Sequence, residues 1–185
     1  MVLSRLFRRK PQEDPARELY TAIVKQSRQP AFYSDCAVPD SVDGRFDLIV
    51  LHVFLVMNRL KKEHERSAEL SQALFDLLFL DMDQSLREMG VGDVGVGKRI
   101  KAMVQGFYGR ISAYDTALSA GQAALGDALR RNLYGTVSVE SGPLGTMADY
   151  VLAEAAGLGA QELDRLMLGD VVFGPPPGLS VEKPV

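Results

Sequence analysis

Apolar residues recur every three to four positions along most of the chain, a spacing that predicts amphipathic helices. The predicted helices cover residues 15–27, 45–65, 67–89, 98–118, 123–133, 144–155 and 160–167. Asp14 and Pro15 suit the start of the first helix, Ser67 caps the third, and Gly90 ends it. Because no helix–strand alternation or fixed-period repeat occurs, we expect an all-α, single-domain helical bundle of about six to eight helices.

Both ends of the chain are expected to be irregular. The predicted organisation is a basic N-terminal tail over residues 1–14, a helical domain over 15–170 and a Pro-rich C-terminal tail over 171–185. The C-terminal boundary reflects the three consecutive prolines at 175–177, which cannot continue a helix. Turn-forming residues are dense over 30–45, so this segment is predicted to be an ordered, partly aromatic loop.

Two faces of the fourth predicted helix differ in side-chain size. The large apolar face comprises Ile100, Val104, Phe107, Ile111, Tyr114 and Leu118. The other face is small and comprises Ala102, Gly106, Gly109, Ala113 and Ala117. Glycine within a helix costs about 1 kcal/mol relative to alanine. The small face is therefore expected to let a neighbouring backbone approach closely.

Three polar residues fall on otherwise apolar helical faces: Asp81, His52 and Arg59. A buried ionised carboxylate needs a partner, so Asp81 is expected to be a structural residue that contacts a cationic or hydroxyl group of another helix. The candidate partners are Arg45, His52, Arg59, Tyr108 and Arg110. His52 and Arg59 are likewise predicted to be structural buried polar residues, with Arg59 paired to Glu63 four positions later.

The alternative function is an enzyme on a helical bundle in which Asp81, Asp83 and His52 act as acid–base groups. That hypothesis requires all three side chains to line one cleft. Residues 92–98 fit the G-x-x-x-x-G-K pattern of phosphate-binding loops, but Arg99 stands where Ser or Thr is needed and a helix precedes the motif. With two histidines and no Glu-x-x-His motif, no metal or other cofactor is expected.

Composition narrows the function classes further. The net charge of −3 argues against a nucleic-acid-binding protein, and the lone Cys36 suits a reducing compartment. No stretch approaches the roughly 20 apolar residues of a membrane span. Residues 1–10 are basic and suit contact with an anionic membrane surface. The expected location is the cytoplasm, with peripheral attachment at the inner face of the cytoplasmic membrane as a second option.

Four groups of short segments, between about residues 33 and 134, occur in a characteristic order and spacing. They are Asp43–Asp47 with Leu51-His52, Asp81–Asp83 with Leu86–Val91, Phe107–Arg110 with Ala113-Tyr114, and Arg131–Tyr134. Together they resemble the ubiquinol–cytochrome c chaperone family. Because Glu13 and Asp14 directly follow the basic residues, in contrast to a mitochondrial transit segment, a bacterial relative is expected.

The resemblance implies an assembly chaperone for respiratory complex III that has no catalytic activity. Its expected client is newly made cytochrome b or another subunit or assembly intermediate of that complex. The residues assigned to client contact are Phe32, Tyr33, Arg87, Tyr108 and Arg110. A third hypothesis is a membrane-peripheral adaptor without chaperone activity.

Overall fold

A computed structural model describes residues 13–178, which contain eight helices and no strand. The helices are α1 (Glu13–Ser27), α2 (Ala31–Ser34), α3 (Val42–Lys61), α4 (His64–Glu88), α5 (Asp93–Ala120), α6 (Gln122–Asn132), α7 (Ser141–Gly159) and α8 (Leu163–Met167). This confirms the all-α, single-domain prediction. None of the described helices combines the length and the apolar character needed to cross a bilayer.

Helix α3 forms the centre of the fold, and α1, α4, α5 and α7 pack around it. Fourteen of its twenty residues are buried, which explains why apolar residues occur on all of its sides. The Ser41 side chain caps the helix by accepting a hydrogen bond from the Gly44 amide at 3.1 Å. A side chain at position 44 would clash with Pro39, so glycine permits this close approach of the preceding loop.

The predicted starts of α3, α4, α5 and α7 lie three to five residues too late. Helix α4 begins at His64, so Ser67 is not its cap; the Ser67 hydroxyl instead donates to the Leu60 carbonyl at 2.7 Å. Helix α5 begins at Asp93 and includes most of residues 91–97, the Gly-rich segment between the third and fourth predicted helices. Arg87 pairs with Asp93 across the α4–α5 turn, and this ion pair favours the early start of α5.

The predicted loop over residues 30–45 contains the one-turn helix α2, which places Phe32 in the core. Residues 171–178 have no helix, yet they pack along α7. The Gln161 side chain bonds both the amide and the carbonyl of Val172, at 3.0 and 2.7 Å. We call residues 172–178 the C-terminal strap.

The small face of α5 is only partly covered. Ala117 is buried, but nothing lies within 4 Å of the position that a Cβ would occupy at Gly109. At Gly106 that position is covered by the guanidinium of Arg110 from the same helix, 2.6 Å away. At Gly106 and Gly109, the expectation of a closely packed neighbouring backbone is therefore wrong for the described residues.

Candidate functional site

Exposed apolar side chains concentrate on the α4–α5 hairpin. Four of the eight large apolar residues exposed in the described part lie there, namely Leu80, Met89, Val94 and Tyr108. We call this group the hairpin surface. Tyr108 is 60% exposed, and its ring lies 5.8 Å from that of Phe75 and 5.7 Å from that of Phe107. Tyr108 therefore extends an aromatic cluster from the core to the surface.

An ion pair between α3 and α5 lies close to this cluster. Arg110 Nη2 is 2.7 Å from Asp47 Oδ1, and the two side chains are 24% and 12% exposed. Among the described residues, neither Arg110 Nε nor the buried Tyr114 hydroxyl has a hydrogen-bond partner. Buried polar groups are usually satisfied. This pair is consequently a structural tie that leaves some hydrogen-bonding capacity unused.

Burial has the largest effect on the pKa of Asp47. Desolvation raises the pKa of this carboxyl to about 6, the Arg110 guanidinium opposes the rise, and the charge of Asp43 adds to it. The ion pair thus only partly offsets the cost of burying the carboxylate. Asp47 was part of a family-like segment, but sequence analysis assigned it no role. Its signal was a charged residue next to the apolar run of residues 48–51.

A second polar network joins α1, α3, α7 and the C-terminal strap around His52. The ring is fully buried, with Nδ1 2.8 Å from the Leu48 carbonyl and Nε2 2.9 Å from the Tyr150 hydroxyl. The Gln26 amide donates to the Tyr150 hydroxyl and to the Gly174 carbonyl, both at 3.0 Å. Burial lowers the pKa of His52 to about 4, so a neutral ring ties these elements together.

A cleft of about 460 Å³ lies between α7 and the C-terminal strap. Its wall includes the buried Glu154, whose Oε1 accepts a hydrogen bond from the Gly174 amide at 2.7 Å. Desolvation raises the pKa of Glu154, and the Gly174 bond opposes that rise. Phe173 packs edge-on against His52 with ring centroids 5.7 Å apart. These contacts hold the strap on α7, and sequence analysis did not single out Tyr150 or Glu154.

The three residues of the enzyme hypothesis have separate partners. The Tyr20 hydroxyl donates to Asp81 at 2.7 Å, and Asp83 pairs with Arg87 on the exposed side of α4. His52 bonds to residues of α1, α3 and α7. The structure therefore does not bring Asp81, Asp83 and His52 together in one cleft.

Asp81 does have a hydroxyl partner on another helix, but this partner is Tyr20, which is not one of the five predicted candidates. The predicted burial of Asp81 is also too strong, because the residue is only part-buried. Arg59 is buried; it bonds the Gln161 carbonyl at 2.8 Å and pairs with Glu63 at 2.9 Å. No group of three or more potential metal-ligating residues occurs within residues 13–178.

The five residues assigned to client contact differ in accessibility. Phe32 is fully buried against His52 and Tyr150, because α2 turns it into the core, so its assignment to a contact surface is corrected. Tyr33 is part-buried, and its hydroxyl donates to the Ser27 carbonyl at 3.0 Å. The remaining three are the exposed Arg87, the exposed Tyr108 and the part-buried Arg110.

Arg87, Tyr108 and Arg110 also differ in whether their side chains already have bonding partners. Arg87 is committed to Asp83 and Asp93, whose carboxylates raise the pKa of its guanidinium, and Arg110 is committed to Asp47. Tyr108 has no hydrogen-bond partner among the described residues and presents most of its ring to solvent. Tyr108 is thus the assigned residue most available to a partner.

Comparison with known proteins gives consistent matches. A family model described as Ubiquinol-cytochrome C chaperone matches residues 34–173. Ubiquinol-cytochrome-c reductase complex assembly factor 1 of Xenopus laevis is 26% identical over 161 residues, which cover 86% of this chain and 80% of that protein. The Mus musculus and Homo sapiens proteins of that name are also 26% identical over 86% of this chain, which spans 55% and 54% of their lengths.

A solved structure gives the same result. The crystal structure of the Cbp3 homolog from Brucella abortus matches with a TM-score of 0.79 and 37% identity, over 95% of this chain and 97% of that one. The resemblance inferred from the short sequence segments is therefore confirmed. The matched region includes the hairpin surface, the Asp47–Arg110 pair and His52 with Tyr150, but not the α1 residues of the His52 network.

Proposed function

Because this chain belongs to the ubiquinol–cytochrome c chaperone family, we propose that it is an assembly chaperone that binds newly made cytochrome b or another subunit of complex III. The matched relatives are named as assembly factors of ubiquinol–cytochrome c reductase, the same complex. A chaperone for a membrane subunit needs a surface for apolar segments. It does not need an acid–base constellation, and the separate partners of Asp81, Asp83 and His52 agree with that view.

The observation that carries this proposal is the exposure of Tyr108 beside a packed aromatic cluster. Tyrosine is enriched at protein interfaces because it offers a large apolar area together with a polar end. Phe75 and Phe107 hold the inner edge of the Tyr108 ring, so little conformational freedom is lost when a client covers the outer edge. The neighbouring Gly109 leaves room for a client helix to approach α5 closely.

Arg110 suits a structural role better than a client contact. Reversing its charge would place a carboxylate against Asp47 in a part-buried site, and folding itself would suffer. Loss of client binding in such a variant would therefore be ambiguous. Tyr108 is free of this problem because truncation of an exposed side chain seldom changes stability by more than about 0.5 kcal/mol.

The decisive experiment compares Tyr108→Ala with Leu168→Ala. Leu168 is exposed beyond α8, outside the hairpin surface, and serves as the matched control. Each tagged variant is purified from detergent-solubilised membranes, and cytochrome b is quantified by its haem absorbance and by mass spectrometry. Truncation of an interface hot spot costs about 2 kcal/mol, so Tyr108→Ala is expected to reduce cytochrome b recovery by about thirtyfold, and the control by less than about twofold.

Equal recovery by the two variants would contradict the assignment of the client site to Tyr108. Absence of every complex III subunit from the wild-type preparation would contradict the proposed function itself. Capture of another complex III subunit in place of cytochrome b would identify a different client of the same surface.

The adaptor hypothesis differs from the chaperone hypothesis in one respect: it requires membrane attachment without client binding. The predicted attachment through residues 1–10 lies outside the described residues and stays a prediction. Deletion of these residues followed by membrane fractionation tests it. Normal client recovery by the deletion variant would separate attachment from chaperone activity.

A further inference from the structure

The first half of α5 carries an unusual group of basic residues. Lys98, Arg99 and Lys101 are all exposed, and none has an ion-pair or hydrogen-bond partner within residues 13–178. Exposed bases elsewhere in the described part are either paired, as Lys61 is with Asp115, or unpaired singly or in twos, as Arg130 and Arg131 are. Three unpaired bases within four residues therefore form a local positive charge on a chain whose net charge is −3.

The acidic residues closest along the chain do not neutralise this group. Asp93 and Asp83 both pair with Arg87, and Glu88 accepts a hydrogen bond from Gln84 at 2.9 Å. The positive charge of the first half of α5 is thus available to an external anionic partner.

Apolar residues flank the basic group on the same side of the helix. Val94 is 90% exposed, more than any other large apolar residue of the described part. At 100° per residue, Val94, Lys98, Lys101 and Tyr108 fall within an arc of about 80°. We call these four residues the α5 stripe, and it runs about 20 Å along the helix. Arg99 lies on its flank.

We propose that the α5 stripe rests on an anionic phospholipid surface. Lysines bind headgroup phosphates while their methylene stems cover apolar area. Valine and tyrosine at the ends of the stripe would enter the interfacial region, where aromatic side chains are enriched in membrane proteins. A helix with this pattern lies in the plane of the interface and does not cross the bilayer.

A nucleic acid is the other polyanion that could attract such a group, but the pattern favours a lipid surface. Binding to single-stranded nucleic acid combines bases with several aromatic side chains for stacking. The α5 stripe has a single aromatic residue, Tyr108, and its most exposed apolar side chain, Val94, is aliphatic. The lipid surface is therefore the single occupant assigned to the stripe.

The test uses the full chain and protein-free vesicles of phosphatidylcholine, with and without phosphatidylglycerol. The charge-reversed variant Lys98→Glu/Lys101→Glu is compared with Arg130→Glu/Arg131→Glu, which reverses two exposed, unpaired bases on α6. Each base near an anionic surface contributes about fivefold to binding, so the α5 variant is expected to bind the anionic vesicles at least about tenfold more weakly. The α6 variant should bind like the wild type, and Val94→Ser should weaken binding to a smaller extent.

Three outcomes would overturn the proposal. The first is equal vesicle binding by the α5 and α6 variants. The second is binding that disappears on deletion of residues 1–10 and is unchanged by the α5 variant. The third is loss of RNA binding in the α5 variant with no change in vesicle binding. If the double glutamate variant does not fold, as judged by circular dichroism, the same comparison is made with Lys98→Gln/Lys101→Gln.

The α5 stripe shares Val94 and Tyr108 with the hairpin surface, but its test does not depend on the client, because the substituted Lys98 and Lys101 lie outside the hairpin surface. Vesicles without protein contain no complex III subunit, and client recovery is measured in detergent without a bilayer. The α5 variant is therefore expected to lose vesicle binding while it retains cytochrome b in the detergent preparation. Failure of one experiment leaves the other interpretable.

Discussion

Asp47 combines burial, an ion pair and a position in the central helix. Its carboxylate lies against Arg110, yet desolvation outweighs this attraction and raises its pKa to about 6. The pKa of an unfolded aspartate is about 3.9. The folded protein therefore binds the Asp47 proton more tightly than the unfolded chain does, and the residue makes stability depend on pH.

The sign of this dependence can be predicted. The stabilising contribution of protonated Asp47 is present in full below about pH 4 and is lost as the pH rises through about 6. His52 has the opposite effect: its pKa falls to about 4 on folding, so its neutral form favours folding increasingly from about pH 4 to about pH 6.5. The pH dependence of the unfolding free energy of the wild type would therefore combine the contributions of Asp47 and His52.

Comparison with Asp47→Asn isolates the carboxyl group, because His52 is common to both proteins. The variant loses its ion pair with Arg110 but no longer titrates at position 47. We expect the unfolding free energy of Asp47→Asn, relative to wild type, to improve by about 2 kcal/mol between pH 4 and pH 7. Urea unfolding at several pH values measures this difference, and a pH-independent difference would show that Asp47 titrates normally.

The need of a residue for a polar partner was easier to predict from the sequence than the partner itself. The expectation that Asp81 needs a hydroxyl or cation follows from its place on an apolar face, and Tyr20 supplies that hydroxyl. The partner could not be predicted because helical periodicity gives the face of each residue but not the axial offset between two helices. Phe32 illustrates the same limit, since one short turn directs its ring into the core.

Helix α5 illustrates what periodicity alone can establish at the scale of an element. The large apolar face was predicted correctly as far as Phe107 and Tyr114 are buried. The start of the helix was not, because Gly95 and Gly97 favour a connector, whereas the Arg87–Asp93 ion pair favours continuing the helix. An exposed ion pair contributes at most about 1 kcal/mol, and burial of Val96 in the first turn of α5 also favours the early start.

Two glycines of α5, Gly109 and Gly106, allow a paired substitution experiment on protein stability. Gly109→Ala adds a methyl group in open space and should stabilise the protein by up to about 1 kcal/mol. Gly106→Ala places its methyl group 2.6 Å from Arg110 Nη1 and should push the guanidinium away from Asp47. Its stability is therefore expected to be at least about 1 kcal/mol below that of Gly109→Ala. Urea unfolding compares the two, and equal stabilisation would mean that the guanidinium moves without cost.

At the scale of the whole molecule, burial is distributed very unevenly. Helix α3 is buried along most of its length, and the His52 network links it to α1, α7 and the C-terminal strap. In α5, by contrast, residues 97–106 contain no buried side chain. The segment that carries the two lysines of the α5 stripe therefore makes few of the contacts that stabilise the core.

This distribution predicts two levels of local stability. Segments with few buried contacts open with lower free energy than the core, so residues 97–103 of α5 should exchange their amide hydrogens with an opening free energy at least about 2 kcal/mol below that of residues 48–56 of α3. Hydrogen exchange with mass spectrometry measures both segments in one sample. Equal protection would show that α5 is as stable as the core. Slower exchange over 97–103 on addition of anionic vesicles, with α3 unchanged, would show that the lipid surface orders this part of α5 without involving the rest of the fold.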